Sequence, residues 1–209
     1  ERNSAGAYAA AKDPRGSRYL INGEPTENKL ASATKGVLRY EIIAQGKLAH
    51  SAYPELGESA IDKLLDALER VRRMDLPTDP VLGASTVNIG VVSGGRAPNV
   101  IPDEAKAEIS IRIVGDPEPV RAAALRAAGD RVETREVLFT PAIHFDPMDG
   151  FETTVVAFTT DIPSFDGAWG KPFLLGPGNI HVAHTSEERV AKHELTEAAQ
   201  IYQRMVRHL

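Results

Sequence analysis

Residues 105–114, Ala-Lys-Ala-Glu-Ile-Ser-Ile-Arg-Ile-Val, alternate apolar and polar side chains as far as Ile113. A period of two is the mark of a strand with one buried and one open face. Ala107, Ile109, Ile111 and Ile113 take one face; Lys106, Glu108, Ser110 and Arg112 take the other. A strand of this kind needs paired neighbours and a layer over its apolar face. The flanking sequence supplies both. Gly36 to Gln45 alternates in the same way, with Leu38, Tyr40 and Ile42 on one face. Ser85 to Ser93 places Val87, Ile89 and Val91 on one face, and Arg131 to Phe139 is a fourth strand. Ser59 to Arg73 carries a helical stripe of Ile61, Leu64, Leu65, Leu68 and Val71, with Ser59 placed to cap its start. Pro117 to Ala128 is a second helix, with Pro in its first turn and Gly129 after its end. Residues 35–139 therefore read β-α-β-β-α-β. That order predicts a ferredoxin-like unit, a four-stranded antiparallel sheet with both helices on one face. Arg112 then points to the open side of the sheet.

The flanks differ in character. In residues 1–34, Ser4 to Ala11 reads as a small helix ended by Asp13-Pro14-Arg15-Gly16, and Arg18 to Ile21 as a short buried strand. In residues 140–209, Thr153 to Phe158 and residues 172–175 read as strands. Glu194 to Leu209 is a closing amphipathic helix with Leu195, Ala198, Tyr202, Met205 and Val206 in its stripe. The expected organisation is an α/β domain formed by 1–34 and 140–209, interrupted by the inserted unit at 35–139. The outer pieces are thin for an independent α/β core. Together with an opening Glu1-Arg2-Asn3-Ser4 that lacks methionine, this leads to the expectation of further N-terminal sequence.

Composition narrows the functional classes. Apolar residues make up 42% and charged residues 25% of the 209, as in ordinary globular domains. The net charge of −5 and the lack of a basic run argue against nucleic acid or an anionic membrane as partner. No apolar run approaches the roughly 20 residues of a membrane helix. The absence of cysteine removes thiol and disulfide chemistry and fits a cytoplasmic location.

The polar loops at strand ends are where an α/β domain places chemistry. Glu24 follows the first strand in Asn22-Gly23-Glu24-Pro25-Thr26; Thr160-Asp161 follows another. Gly176-Pro177-Gly178 follows the strand at 172–175 and leads to His181, His184, Glu187 and Glu188. Carboxylate and imidazole suit zinc, which in a catalytic site takes three protein ligands. A lone glutamate in a turn is by default a solvated carboxylate, so two such residues do not make a site alone.

Four segments occur in one order: Asn22-Gly23-Glu24-Pro25-Thr26, Gly46 through His50 to Pro54, Asn99-Val100-Ile101-Pro102 with Arg112, and Gly176-Pro177-Gly178 through Ala183-His184-Thr185. Together they resemble the M20 family of zinc-dependent peptidases and aminoacylases, nearest to acetylornithine deacetylase and succinyl-diaminopimelate desuccinylase. The resemblance covers nearly the whole chain and implies a lid, or dimerisation, domain at the inserted unit. It implies two zinc ions (cobalt being a possible substitute), with Glu24 and His184 as ligands. Glu1 matches the second Glu of a Gly-Glu-Glu motif and would be a third ligand. The general-base Glu and a His-x-Asp segment would lie before residue 1, so the 209 residues alone are expected to be inactive. His50 would reach the other subunit's site and stabilise an oxyanion. Asn99 and Arg112 would hold the substrate carboxylate and a nearby carbonyl, and Thr160 and Gly176 would contact substrate. His181 falls on a variable position. The implied activity is hydrolysis of an N-acyl amino acid, N-acetylornithine leading, by a cytoplasmic homodimer. A dipeptidase or desuccinylase of the same family, or a non-catalytic dimerisation or binding module, are the alternatives.

Overall fold

The computed structural model describes residues 4–209. In chain order these form α1 (Ala5–Ala11), β1 (Tyr19–Asn22), β2 (Leu30–Thr34), β3 (Gly36–Gln45), β4 (Ala49–His50) and α2 (Ala60–Arg72). There follow β5 (Thr78–Asp79), β6 (Gly83–Ala84), β7 (Thr86–Gly94), β8 (Val100–Ile101), β9 (Glu104–Ile113), α3 (Pro117–Ala128) and β10 (Glu133–Thr140). The chain closes with β11 (Ile143–His144), β12 (Thr153–Val156), β13 (Lys171–Leu174) and α4 (Lys192–His208). It divides into two compact units, residues 35–142 and residues 1–34 with 143–209. The inserted unit thus keeps Thr140, Pro141 and Ala142, beyond the boundary at 139 read from the sequence.

In the inserted unit, β10, β3, β9 and β7 lie side by side in that order, every pair antiparallel. The central β3–β9 ladder runs unbroken from Gly36↔Ile113 to Gln45↔Glu104. Alternation decides the layers. Leu38, Tyr40, Ile42 and Ala44 of β3 and Ala107, Ile109 and Ile111 of β9 are buried in one cluster with Leu64, Leu68 and Val71 of α2 and Val120 and Ala124 of α3. Both helices therefore cover the same face. Ser59 caps α2, its hydroxyl accepting the Asp62 amide at 3.1 Å, and Asp116 caps α3 by accepting the Glu118 amide at 3.0 Å. Residues of the opposite parity, Arg39 and Glu41 on β3 and Ser110 and Arg112 on β9, project from the uncovered face.

The other unit is built on two small sheets. β1 pairs with β13 in parallel, Asn22 opposite Leu174. β2 lies between β11, antiparallel, and β12, parallel. Phe173 and Leu175 pack with Leu30, Met148 and the α4 residues Ile201 and Met205. Leu174, of opposite parity, joins Leu20, Ala31, Phe145, Val156 and Ile162 in a separate cluster. Phe173, Leu174 and Leu175 are buried on alternate faces, so the end of β13 and the residue after it read as an apolar run rather than an alternation. Among the described residues no helix is long and apolar enough to cross a membrane.

Candidate active site

Because β1 and β13 are parallel and in register, their chain ends emerge at one edge: Gly23-Glu24 from one, Leu175-Gly176 from the other. The Leu175 amide still donates to the Asn22 carbonyl at 3.1 Å. Beyond that point Thr26 takes over the joining. Its amide and that of Asn28 donate to the Gly176 carbonyl at 3.1 and 2.9 Å. Its hydroxyl donates to the Lys29 carbonyl at 2.6 Å and accepts the Gly176 amide at 3.1 Å. The Glu27 amide donates to the Gly178 carbonyl at 2.9 Å. Thr26 is only 4% exposed, so these bonds are shielded from water. Gly176 must be glycine: a Cβ there would sit 2.5 Å from the Glu24 carbonyl oxygen. Tyr202 of α4 completes the edge by donating to the Leu175 carbonyl at 2.8 Å; burial pushes its phenol pKa up.

The Gly176 loop continues into a short 3-10 turn, Ile180–Val182, started by Asn179, whose side chain accepts the His181 amide at 2.8 Å. The Asn179 side-chain amide in turn donates to Glu27, tying the turn to the Glu24 loop. His184 follows in a left-handed conformation, φ 61°, its amide donating to a Glu188 carboxylate oxygen at 2.8 Å. Its side chain is exposed, as is that of His181; Glu24 is half-buried. Thr160 is 8% exposed and accepts the Ile162 amide at 3.2 Å. The neighbouring Asp161 accepts from the Ser4 hydroxyl at 2.6 Å. Glu1, the remaining sequence-derived ligand, lies outside the described residues.

The inserted unit brings two of its three candidates together. β4 pairs with β8, His50 opposite Val100, and the Ser51 amide donates to the Asn99 carbonyl at 3.0 Å. His50 is exposed, and its Nδ1 accepts the Ala52 amide at 3.1 Å. A ring nitrogen that accepts in this way leaves Nε2 as the nitrogen that can donate. Exposed apolar side chains surround this loop: Leu48, Tyr53 and Leu56.

Arg112 stands elsewhere. It is opposite Val37, toward the start of β3, whereas the β4–β8 pair extends the β3–β9 ladder past Gln45 and Glu104. From Glu104 to Arg112 the strand rises roughly 26 Å at about 3.3 Å per residue. Within one protomer Asn99 and Arg112 therefore lie toward opposite ends of the sheet. Alternation set Arg112 on the open face of its strand but carried no information on which strand ends meet. Arg112 is half-buried, and burial and the like charge of Arg39 lower its guanidinium pKa.

Thr26 and Tyr202 are the residues that sequence reading missed as parts of this site. Thr26 was visible only as a turn residue after Pro25. Tyr202 was visible only as one position in an apolar helical stripe.

An α/β unit interrupted by an inserted α+β unit is an arrangement that can be compared with known proteins. The peptidase dimerisation domain family matches residues 32–133. A probable carboxypeptidase of Aspergillus terreus is 39% identical over 214 residues, covering 90% of this chain and 49% of that protein. A peptidase M20 domain-containing protein of Schizosaccharomyces pombe is 41% identical over 188 residues, covering 89% and 47%. The chain thus spans about half the length of the curated relatives it matches. A crystal structure from Bacillus subtilis, described as a dinuclear metal-binding peptidase of the M20 family, superposes with a TM-score of 0.64 at 18% identity, covering all of this chain and 64% of that one. At that identity it speaks for the fold alone. Residues 32–133 thus match the peptidase dimerisation domain family, and most of the chain is similar to proteins described as carboxypeptidases and M20 peptidases.

Proposed function

We propose that the full-length protein is a zinc-dependent, cytoplasmic homodimer that hydrolyses the amide bond of an N-acyl amino acid. N-acetylornithine is the substrate suggested by the sequence; dipeptides and N-succinyl amino acids are the alternatives of the same chemistry. The observation that carries this reading is the joining of the Glu24 loop to the Gly176–His184 loop at one edge of the β1–β13 pair. Residues 1–34 and 140–209 then form part of the catalytic domain, and residues 35–139 are a ferredoxin-like lid and dimerisation domain.

Glu24 and His184 offer one oxygen and one nitrogen donor, a combination zinc accepts. Among the described residues no group of three or more His, Cys, Asp or Glu is assembled for a metal. The pair is thus part of a ligand set, with Glu1 the proposed third member. Bound zinc would polarise the scissile carbonyl and lower the pKa of water at the site. The chain's own residues do the rest. Arg112 pairs with the substrate carboxylate through its planar fork. The Nε2–H of His50 donates to the oxyanion as it develops; losing one such donor typically costs about 10²–10³ in rate. Asn99 holds the neighbouring carbonyl. Thr160 and the Gly176 backbone wall the substrate.

The distance between Asn99 and Arg112 supports a site shared between protomers, with His50 and Asn99 supplied by one and Arg112 by the other. The exposed apolar surround of His50 supports the same reading, since a loop that inserts into a partner buries such side chains. The test is hydrolysis of a panel of N-acyl amino acids and dipeptides by the full-length protein, with and without a chelator. Activity should vanish with chelation and return with zinc. His184→Ala should lower bound zinc per protomer and abolish hydrolysis; unchanged metal content would refute the ligand assignment.

A further inference from the structure

The uncovered face of the inserted sheet separates into two regions by charge. Toward the β4–β8 end its cations have partners: Lys106 lies 3.6 Å and Arg135 3.9 Å from Glu41, and Arg135 also contacts Glu133 at 2.6 Å. Toward the other end the register sets Arg39 opposite Ser110, with Asn88 beyond it, and Thr86 beside Arg112. Arg39 and Arg112 are diagonal neighbours on β3 and β9, a spacing of about 7–8 Å between strands of this kind. Neither forms an ion pair or hydrogen bond among the described residues. Glu108, diagonal to Arg39 on the side away from Arg112, makes no ion pair with it. Ser110, Asn88 and Thr86 add hydroxyl and amide groups, and no carboxylate occupies these cross-strand positions.

Two like charges on adjacent strands, one of them half-buried, destabilise the sheet unless something compensates. Among the described residues no acid compensates the pair, and Arg39 is exposed, so the two guanidinium groups are open to an anionic ligand. One carboxylate on this pair leaves a net positive charge behind; two carboxylates neutralise it. We propose that Arg39 and Arg112 form a two-arginine anion site that selects a dicarboxylic substrate, an N-acyl amino acid whose side chain carries a second carboxylate. This rests on the amidohydrolase reading above and replaces its leading substrate, N-acetylornithine, with an acidic N-acyl amino acid. Arg112 takes the α-carboxylate and Arg39 the side-chain carboxylate. A cationic side chain such as that of ornithine is repelled by the same pair.

The full-length protein provides the test. kcat/KM is measured for N-acetylglutamate, N-acetylglutamine and N-acetylornithine. A charge-assisted contact made by only one substrate is expected to favour glutamate over glutamine by about tenfold or more. Arg39→Gln should bring that ratio close to one, acting mainly through KM, and Arg39→Lys should restore most of it. A ratio that Arg39→Gln leaves unmoved, or a preference for N-acetylornithine in the unmodified protein, overturns the proposal. Calorimetric binding of glutarate against butyrate reads the site without turnover. Glutarate should bind about tenfold more tightly, and Arg39→Gln should erase the difference. If no amide is hydrolysed but glutarate binding depends on Arg39, the amidohydrolase reading fails and the anion site stands. If amides are hydrolysed with no dependence on Arg39, the anion site fails and the amidohydrolase reading stands.

Discussion

At the scale of single residues, the edge that carries Glu24 depends on one buried hydroxyl. Thr26 accepts the Gly176 amide and donates to the Lys29 carbonyl, so it fixes two loops at once. Thr26→Val keeps the shape but leaves a buried amide and a buried carbonyl short of a partner. A loss of about 1–3 kcal/mol is expected, read as a lower urea midpoint, while Thr26→Ser should recover most of it. If the joining positions Glu24, Thr26→Val should also weaken zinc binding, measured by chelator competition. The motif containing Glu24 and Thr26 was legible in the sequence as a turn after a strand. That its threonine bonds to a loop 150 positions later was not legible, because a hydroxyl's partner is decided by which strands pair.

At the scale of elements, the two edges of the inserted sheet are unlike. β10 carries Glu133, Arg135 and Glu136, and a register shift between Glu136 and Leu138. Charges and bulges of this kind keep an edge from pairing with another chain. β7, Thr-Val-Asn-Ile-Gly-Val-Val-Ser-Gly, has no charged residue, and Val91 and Val92 are 48% and 54% exposed. If the homodimer forms through this edge, Val92→Lys should shift the full-length protein toward monomer in sedimentation experiments and lower its activity. The β10 edge is anchored by Glu136, which accepts two hydrogen bonds from Arg121 at 2.8 and 2.9 Å and one from the Tyr40 hydroxyl at 3.1 Å. The Arg121 bonds, with help from Tyr40, hold the Glu136 pKa below the usual carboxylate range. A depressed folded-state value means that the stabilisation is complete above the unfolded value of about 4.3 and is lost as pH falls through the folded one. The difference in urea midpoint between the unmodified protein and Glu136→Gln should thus hold from pH 7 to about 5 and shrink in more acid solution. The long amphipathic elements were legible because alternation and the helical stripe are local. β2, Leu-Ala-Ser-Ala-Thr, was not: it is buried on both faces and made mostly of small residues, so it shows neither period.

At the scale of the whole molecule, the proposed site draws on both protomers, and that is open to a direct test. His50→Ala and Glu24→Ala homodimers should each be inactive. Mixed in equal amounts under conditions of subunit exchange, they should regain about a quarter of the unmodified activity, because about half of the dimers are then heterodimers and each holds one intact composite site. Confirmed exchange with no recovery would count against His50 acting across the interface. The sequence by itself determined the four long strands and two helices of the inserted unit, that both helices share a face, and which polar residues sit at strand ends, because each of these follows from side-chain periodicity over a few residues. Only the tertiary structure decided that the Glu24 and Gly176 loops share an edge, that His50 and Asn99 are neighbours while Arg112 stands at the far end of the sheet, and that Arg39 lies beside Arg112. Those facts depend on strand order and register, which are set by how the apolar faces pack against each other and not by any one segment's own pattern.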